Sequence, residues 1–341
     1  MKFSVAILAH VCPRITQQRK PRIHYDCRKP DYIVIMTCMA DDLFAKGGLS
    51  LERLRTFGHI VAASGISKAA PGNPTRQSQY SRQLKELEEF FGVELVQRGK
   101  GRFQLTPEGR ELFQMVQMQI GGLEELVRRW SNARVDLRIG AGEALLQWLI
   151  ITALNQFERR CNNVTAVLHN LTNEKIEQWL LDGRLDLGFV REETSNRNFL
   201  RRSIAALQYR LFAPKTLLRR SRNKSAEAIL QNVKIGLLDE SRISDALLAF
   251  ARKHGFELDV CLRATSYIQL LQAVRASYCA AVLPAFARPQ FSDRTAEEVE
   301  LRELKQFDHT IVAVQPKQHA MVRPAASEAA HLLVEIIARC I

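Results

Sequence analysis

The sequence predicts an α/β protein in two parts, a small helical unit with a two-stranded turn and a larger unit of alternating strands and helices, joined by one long helix. Three observations carry this. Apolar residues recur at spacings of three and four between residues 50 and 131. Beyond Leu137 the pattern changes to short apolar runs separated by helical stretches. The length, 341 residues, fits two cores better than one.

Composition narrows the class. Hydrophobic residues make up 46% and charged residues 25%, the proportions of a chain with a core to bury. The net charge of +13 suits a polyanionic partner, although it is spread along the chain rather than gathered in one domain. Seven scattered cysteines without a CxxC pair point to neither a disulfide framework nor a zinc cluster, and fit a reducing compartment. No apolar run approaches the ~20 residues of a membrane helix, and no cleavage site follows the short apolar start, so the expected location is cytoplasmic.

Residues 1–45 lack a sustained period and mix Pro13, Pro21 and Pro30 with basic residues, which reads as a poorly ordered leader. Met36 and Met39 lie just before the first helix signal, which makes translation from one of them an expectation to test. Ser50 then caps a helix with Leu51, Leu54, Phe57 and Val61 on one face. Gly65 ends it, and a second, short helix is expected over residues 67–70 before Pro71, Gly72 and Pro74 interrupt. A third helix over residues 76–95 buries Tyr80, Leu84, Leu87 and Phe91. Gln77, Ser81 and Lys85, with Ser78 and Arg82 beside them, form its polar stripe.

Two short strands follow around residues 99–101, a turn tipped by Arg98, Lys100 and Arg102. Thr106 caps the long helix, with Pro107 in its first turn. Phe113, Val116, Ile120, Leu123, Val127 and Trp130 make a seam along it that suits pairing with a second copy. Strands are expected at residues 137–139, 164–168, 185–190, 209–213, 233–238, 280–283 and 309–314, in parallel sheets, before a last helix from about Ala325.

With these residues in place, the chain resembles the LysR-type transcription regulators. LRTF at 54–57, Ser67, Ala69 and Ala70, the stripe of the third helix, Leu87, Glu88, Gly92, Val93, Leu95, Arg98, Leu105, Thr106 and Gly109 follow that family's DNA-binding order without gaps. LRIG at 137–140, Phe157, DGRLDLGFV at 182–190, Ala213 with Pro214, and AAVLP at 280–284 resemble its effector domain. The resemblance implies a winged helix-turn-helix over residues 46–105, a linker and dimerisation helix over 106–133, and a two-lobed effector-binding domain, like the type 2 periplasmic binding proteins, over 134–341.

It implies further that Gln77, Ser78, Ser81, Arg82 and Lys85 enter the major groove, where Gln pairs with adenine and Arg with guanine, while Arg98, Lys100 and Arg102 grip phosphates or the minor groove. A solvated surface helix and a solvated turn are the bland readings of the same residues. Asn73 stands where the family usually carries leucine, and Pro71 and Gly72 interrupt its second helix, which puts the packing of that helix on the third in doubt.

The effector cleft is implied at Gly142, Glu143 and Ala144, at Arg191, and at Thr265 and Ser266. Helix capping by Thr265 or Ser266 and a surface ion pair at Arg191 are the structural alternatives. Glu143 is read as repelling a small carboxylate, which favours a larger, polar or partly cationic effector. Nine basic residues and no acidic one over residues 197–224 read as a basic rim, an anion-receptive edge or a second DNA contact.

The partners expected are double-stranded DNA, a small-molecule effector of unknown identity, and further copies of the chain as a dimer or tetramer; no membrane, metal or cofactor is expected. Two other functions compete with the regulator reading: a ligand-binding or interaction module whose DNA recognition Pro71 to Pro74 has disabled, and an α/β enzyme. The enzyme has only GAG at 140–142 in its favour, without paired carboxylates or a nucleophile motif.

Overall fold

The computed structural model of the chain describes residues 47–97, 103–194, 199–218, 225–291 and 295–340. The leader, the turn tip with Arg98, Lys100 and Arg102, and Arg197, Arg219, Arg220, Arg222 and Lys224 of the basic run lie outside these residues.

Helix α1 (Leu51–Ala62) starts at Ser50, whose hydroxyl accepts from the Arg53 N–H at 3.2 Å. Helix α2 (Ile66–Ala69) is four residues long, because Pro71 and Gly72 cannot extend it. Asn73 accounts for its own departure from the family pattern. Its side chain accepts from the Arg76 N–H at 3.0 Å and caps α3 (Pro74–Phe91), with Pro74 in the first turn. The Gln77 amide then donates to the Ala70 carbonyl at 2.8 Å and ties the broken second helix to the third.

Val96 and Leu105 pair as an antiparallel bridge. Thr106 caps α4 (Pro107–Trp130) by accepting from the Gly109 N–H at 2.9 Å. Gly109 lies so close to the Leu95 carbonyl that a β-carbon there would collide with it. Phe57, Ile60, Leu84, Leu87, Leu95 and Phe113 close this core, and the Phe57 and Phe113 rings meet edge to face at 6.5 Å.

The larger unit has two five-stranded sheets. In the first lobe β1 (Val135–Ala141) lies between β2 (Val164–Asn170) and β3 (Leu187–Arg191), followed by β10 (His309–Pro316) and β4 (Phe199–Leu207). In the second lobe the order is β7 (Val260–Ala264), β6 (Ile235–Leu238), β8 (Ala280–Pro284), β5 (Tyr209–Pro214) and β9 (Ala296–Val299). The sheets are mixed rather than parallel throughout: β10 runs antiparallel to β3 and β4, and β5 antiparallel to β8 and β9. The reason is topological. The chain crosses from the first lobe to the second through Leu207 to Tyr209 and returns through Phe307 to His309, so the strands beside the crossings enter their sheets reversed. Asp308 accepts from the Tyr209 N–H at 3.3 Å and joins the two crossings.

The helices α5 (Glu143–Leu145), α6 (Ile151–Arg160), α7 (Asn173–Leu181), α8 (Lys215–Leu218), α9 (Ala226–Asn232), α10 (Arg242–Lys253), α11 (Tyr267–Arg275), α12 (His319–Val322) and α13 (Pro324–Cys340) cover the sheets, with a π-turn at Leu146–Ile150 between α5 and α6. Among the described residues no helix is long and apolar enough to cross a membrane.

Candidate functional site

The ends of β1 and β3, the start of α11 and the two crossings converge on a cavity of about 600 Å³ between the lobes. Gly142, Glu143, Ala144, Arg191 and Thr265, all candidates from the sequence, line it. Ser266 lies behind them as the N-cap of α11, accepting from the Ile268 N–H at 3.1 Å.

Glu143 lines the cavity with its carboxylate already hydrogen-bonded. Its carboxylate accepts from the Ser266 hydroxyl at 2.7 Å and from the Tyr267 N–H at 3.0 Å. A helix N-terminus presents unpaired N–H groups that favour an anion, and here the chain supplies that anion itself. The position where a small carboxylate would find these donors is therefore occupied by the chain's own carboxylate.

The sequence reading missed Tyr209, Tyr267, His309, Arg242 and Glu174, which also line the cavity. The rings of Tyr267, Tyr209 and His309 follow one another at centroid spacings of 6.3 Å. Burial pushes both phenols up, so they remain neutral hydroxyls. Burial also pushes His309 down, and with Nδ1 2.8 Å from the Phe307 carbonyl the ring is a neutral imidazole with its proton on Nδ1. Glu174 is held below the usual carboxylate range by its own backbone N–H, then by Thr172 and the Arg191 charge. Phe189, Leu238 and Ile311 supply apolar wall. Such a cavity takes a ligand with an apolar body and polar ends, touched by both lobes.

On α3, Ser78, Ser81, Arg82 and Lys85 are exposed, while Gln77 is half-buried on Ala70. Arg82 pairs with Glu86 at 2.9 Å and Lys85 with Glu89 at 3.6 Å, both one turn along the helix. Glu86 also takes Arg53 of α1 at 2.6 Å, and these two arginines, Arg53 first, hold it below its usual range. The polar face is thus anchored to α1 through Glu86.

The seam along α4 divides. Phe113 and Val116 are buried in the chain's own interior, Phe113 as part of the small unit's core. Ile120 is half-buried, and Leu123, Val127 and Trp130 stand exposed at 49%, 63% and 76%.

Between them α4 turns one polar face inward. Glu125, 2% exposed, accepts from the N–H groups of Ala325 and Ala326 at 2.8 and 3.4 Å and lies 3.3 Å from Arg323 Nε. Arg323 also meets Asp186 and the Asp136 carbonyl, and Asp186 receives Arg138 at 2.8 Å and His319 at 3.1 Å. Burial alone would raise the Asp186 carboxyl, but the His319 and Arg138 hydrogen bonds and the two arginine charges hold it well below the usual range. Gly122 permits this approach, since a β-carbon there would stand 2.8 Å from the Val322 carbonyl oxygen.

Comparison with known proteins agrees with this arrangement. The family model "LysR substrate binding domain" matches residues 132–338, and "Bacterial regulatory helix-turn-helix protein, lysR family" matches residues 51–110. The chain belongs to the LysR family. One LysR-family relative, the transcriptional regulator BenM of Acinetobacter baylyi, is 28% identical over 43% of this chain and 50% of its own length, so the match spans about half of that protein. The full-length OxyR of Pseudomonas aeruginosa shares the fold with a TM-score of 0.57 at 16% identity, over 85% of this chain and 94% of that one. CbnR complexed with its target DNA shares it with a TM-score of 0.53 at 17% identity, over 86% of this chain and all (100%) of that one.

Proposed function

We propose that this LysR-family protein is a sequence-specific DNA-binding transcription regulator, without chemistry of its own, whose activity is set by a small molecule held between the two lobes. The observation that carries the reading is the joining, through one helix, of an exposed polar recognition face and an interlobe cavity lined from both sides. A ligand shifts such a protein only by binding its conformations with different affinity, and a cavity whose walls belong to two lobes has that property.

In this reading Ser78, Ser81 and Arg82 contact bases and Lys85 contacts phosphate, joined by Arg98, Lys100 and Arg102 of the wing. Gln77 acts mainly by holding α2 against α3. The effector meets Glu143, Ala144, Arg191 and Thr265 together with Tyr209, Tyr267, His309 and Arg242. Residues 46–105 form the DNA-binding domain, 106–133 the linker and 134–341 the effector domain. Ile120, Leu123, Val127 and Trp130 pair α4 with a second copy in a cytoplasmic homo-oligomer. Gel-shift titration of DNA upstream of the coding region, with and without candidate metabolites, tests the reading. Retarded complexes whose midpoint moves with one metabolite support it; no preference over unrelated DNA refutes it.

A further inference from the structure

We propose that α7 carries the state of the interlobe cavity to the DNA-binding unit of the same chain, through a direct contact between that helix and the segments around the Val96–Leu105 bridge. The inference rests on the reading of the cavity as the effector site. The two ends of α7 have different surroundings. Thr172, Asn173 and Glu174, at its start, line the interlobe cavity. Glu177, Gln178 and Leu181 on the helix, with Asp182 just beyond it, line a second cavity of about 850 Å³. The opposite wall of that cavity belongs to the DNA-binding unit and the first turns of α4, including Val61, Gln97, Phe103, Arg110 and Gln114. Glu174 lies in both linings, and among the described residues α7 is the one helix that does. Nine helical residues reach about 13 Å, so a single element connects the ligand site with the reading unit.

The helix is seated so that it moves with the cavity wall. A β-carbon on Gly188 of β3 would stand 2.5 Å from Ile176 and 2.8 Å from Leu180, and one on Gly140 of β1 would stand 3.3 Å from Ile176. With its side chains pressed onto the strand backbones, α7 follows any shift of β1 and β3, whose ends form the cavity. At its first turn the Arg191 charge acts on Glu174, so a ligand that meets Arg191 alters the electrostatics of the helix start. At its far end Asp182, only 9% exposed, is hydrogen-bonded by the Gln114 side chain of α4 and lies in the field of Arg110. Leu181 is left 37% exposed beside it, against the second cavity. An interface that encloses open space and is built largely from polar side chains can part and close again, unlike a packed core. The docked and parted arrangements are then two states that ligand and DNA bias from opposite ends.

The test is amide hydrogen exchange of the full chain, read at Gln97 and Thr106, whose N–H groups donate to the Gln104 and Leu95 carbonyls. Gel-shift titration of DNA upstream of the coding region accompanies it. Four chains are compared: the parent, Arg191→Ala in the interlobe cavity, Leu181→Ser at the far end of α7, and the two combined. Leu181→Ser is expected to speed exchange at both amides by about fivefold. Arg191→Ala is expected to speed it by about threefold and to add nothing once Leu181→Ser is present. Exchange along β8, which lines neither cavity, should stay unchanged. The DNA midpoint should move by about threefold on Arg191→Ala in the parent and not at all in the Leu181→Ser chain. Unchanged exchange in Arg191→Ala, an equal response in both backgrounds, or uniform speeding that includes β8 would overturn the proposal. Should Leu181→Ser fail to fold, Glu174→Gln takes its place, and an undiminished Arg191→Ala effect in that background would overturn it equally. Absence of DNA preference in every chain would refute the regulator reading, while the exchange comparison would still decide the role of α7.

Discussion

Glu143, after the first strand of one lobe, and Ser266, at the helix start in the other, are joined by a 2.7 Å hydrogen bond, with the Tyr267 N–H on the second carboxylate oxygen at 3.0 Å. The bond ties the lobes together across the cavity and fills an anion-receptive helix end. Glu143→Ser should therefore lower stability by about 1–3 kcal/mol and open that end to external anions. Melting curves with malonate are expected to show a larger upward shift for the variant than for the parent chain. Equal shifts would show that the carboxylate does not occupy a ligand position.

Glu125 joins α4 to the effector domain, since it caps the start of α13 and faces Arg323. Removing one partner of a buried ionic cluster leaves the others uncompensated, and Glu125→Ala should cost about 3 kcal/mol. Glu125→Gln retains acceptor and shape and should cost less. Urea unfolding of both variants checks this order; a cost below about 0.5 kcal/mol for the alanine variant, the level of an ordinary surface change, would contradict the tie.

Acid should unfold the protein in two stages. His309 and His169 are held below their ordinary value of 6.5, so the unfolded chain takes up protons that the folded chain refuses, and stability falls as pH drops below that value. Asp186 is held below its ordinary 3.8, so its contribution is intact above that pH and is lost as the carboxylate is forced to protonate beneath it. Urea midpoints from about pH 8 to about pH 3 should show both declines, with the first reduced in His309→Gln. A flat profile between the two values would contradict the buried neutral imidazole.

Leu123, Val127 and Trp130 line the exposed part of the α4 seam. Replacing Leu123 and Val127 by Asp should convert oligomers to monomers with little change in helix content, because neither side chain enters the chain's own core. Sedimentation velocity reads the outcome, and an unchanged distribution would move the interface elsewhere.

What the sequence disclosed follows from burial and from local chemistry. Ser50 and Thr106 were legible as caps because capping is a short-range hydrogen bond from one side chain. The interior strands and the edge strand β2 were legible as apolar runs, whereas the edge strands β4, β7 and β9 were not, because charged residues (Arg201 and Arg202, Arg263, Glu297 and Glu298) interrupt them. FLRRSIAAL at Phe199–Leu207 read as a basic rim when it is in fact the outer strand of the first lobe. Five of the six cleft candidates reached the cavity because strand ends and helix starts set them there. Tyr209 and His309 did not show in the sequence because they meet only where the two crossings come together, 100 positions apart by their numbers. Gln77 was read from its place on a polar stripe, which cannot reveal that its amide turns back to Ala70.

The central claim is that α3 presents a DNA-reading face whose function depends on Ser81 and Arg82. Nuclease protection of DNA upstream of the coding region, comparing the parent chain with the paired substitutions Ser81→Ala and Arg82→Ala, tests it most directly. The account predicts that the parent protects two half-sites spaced by whole helical turns, with affinity falling as salt rises. The substituted chain should lose about 1–3 kcal/mol per base contact while keeping its non-specific binding. Protection of the same sites by both chains at equal concentration would contradict it.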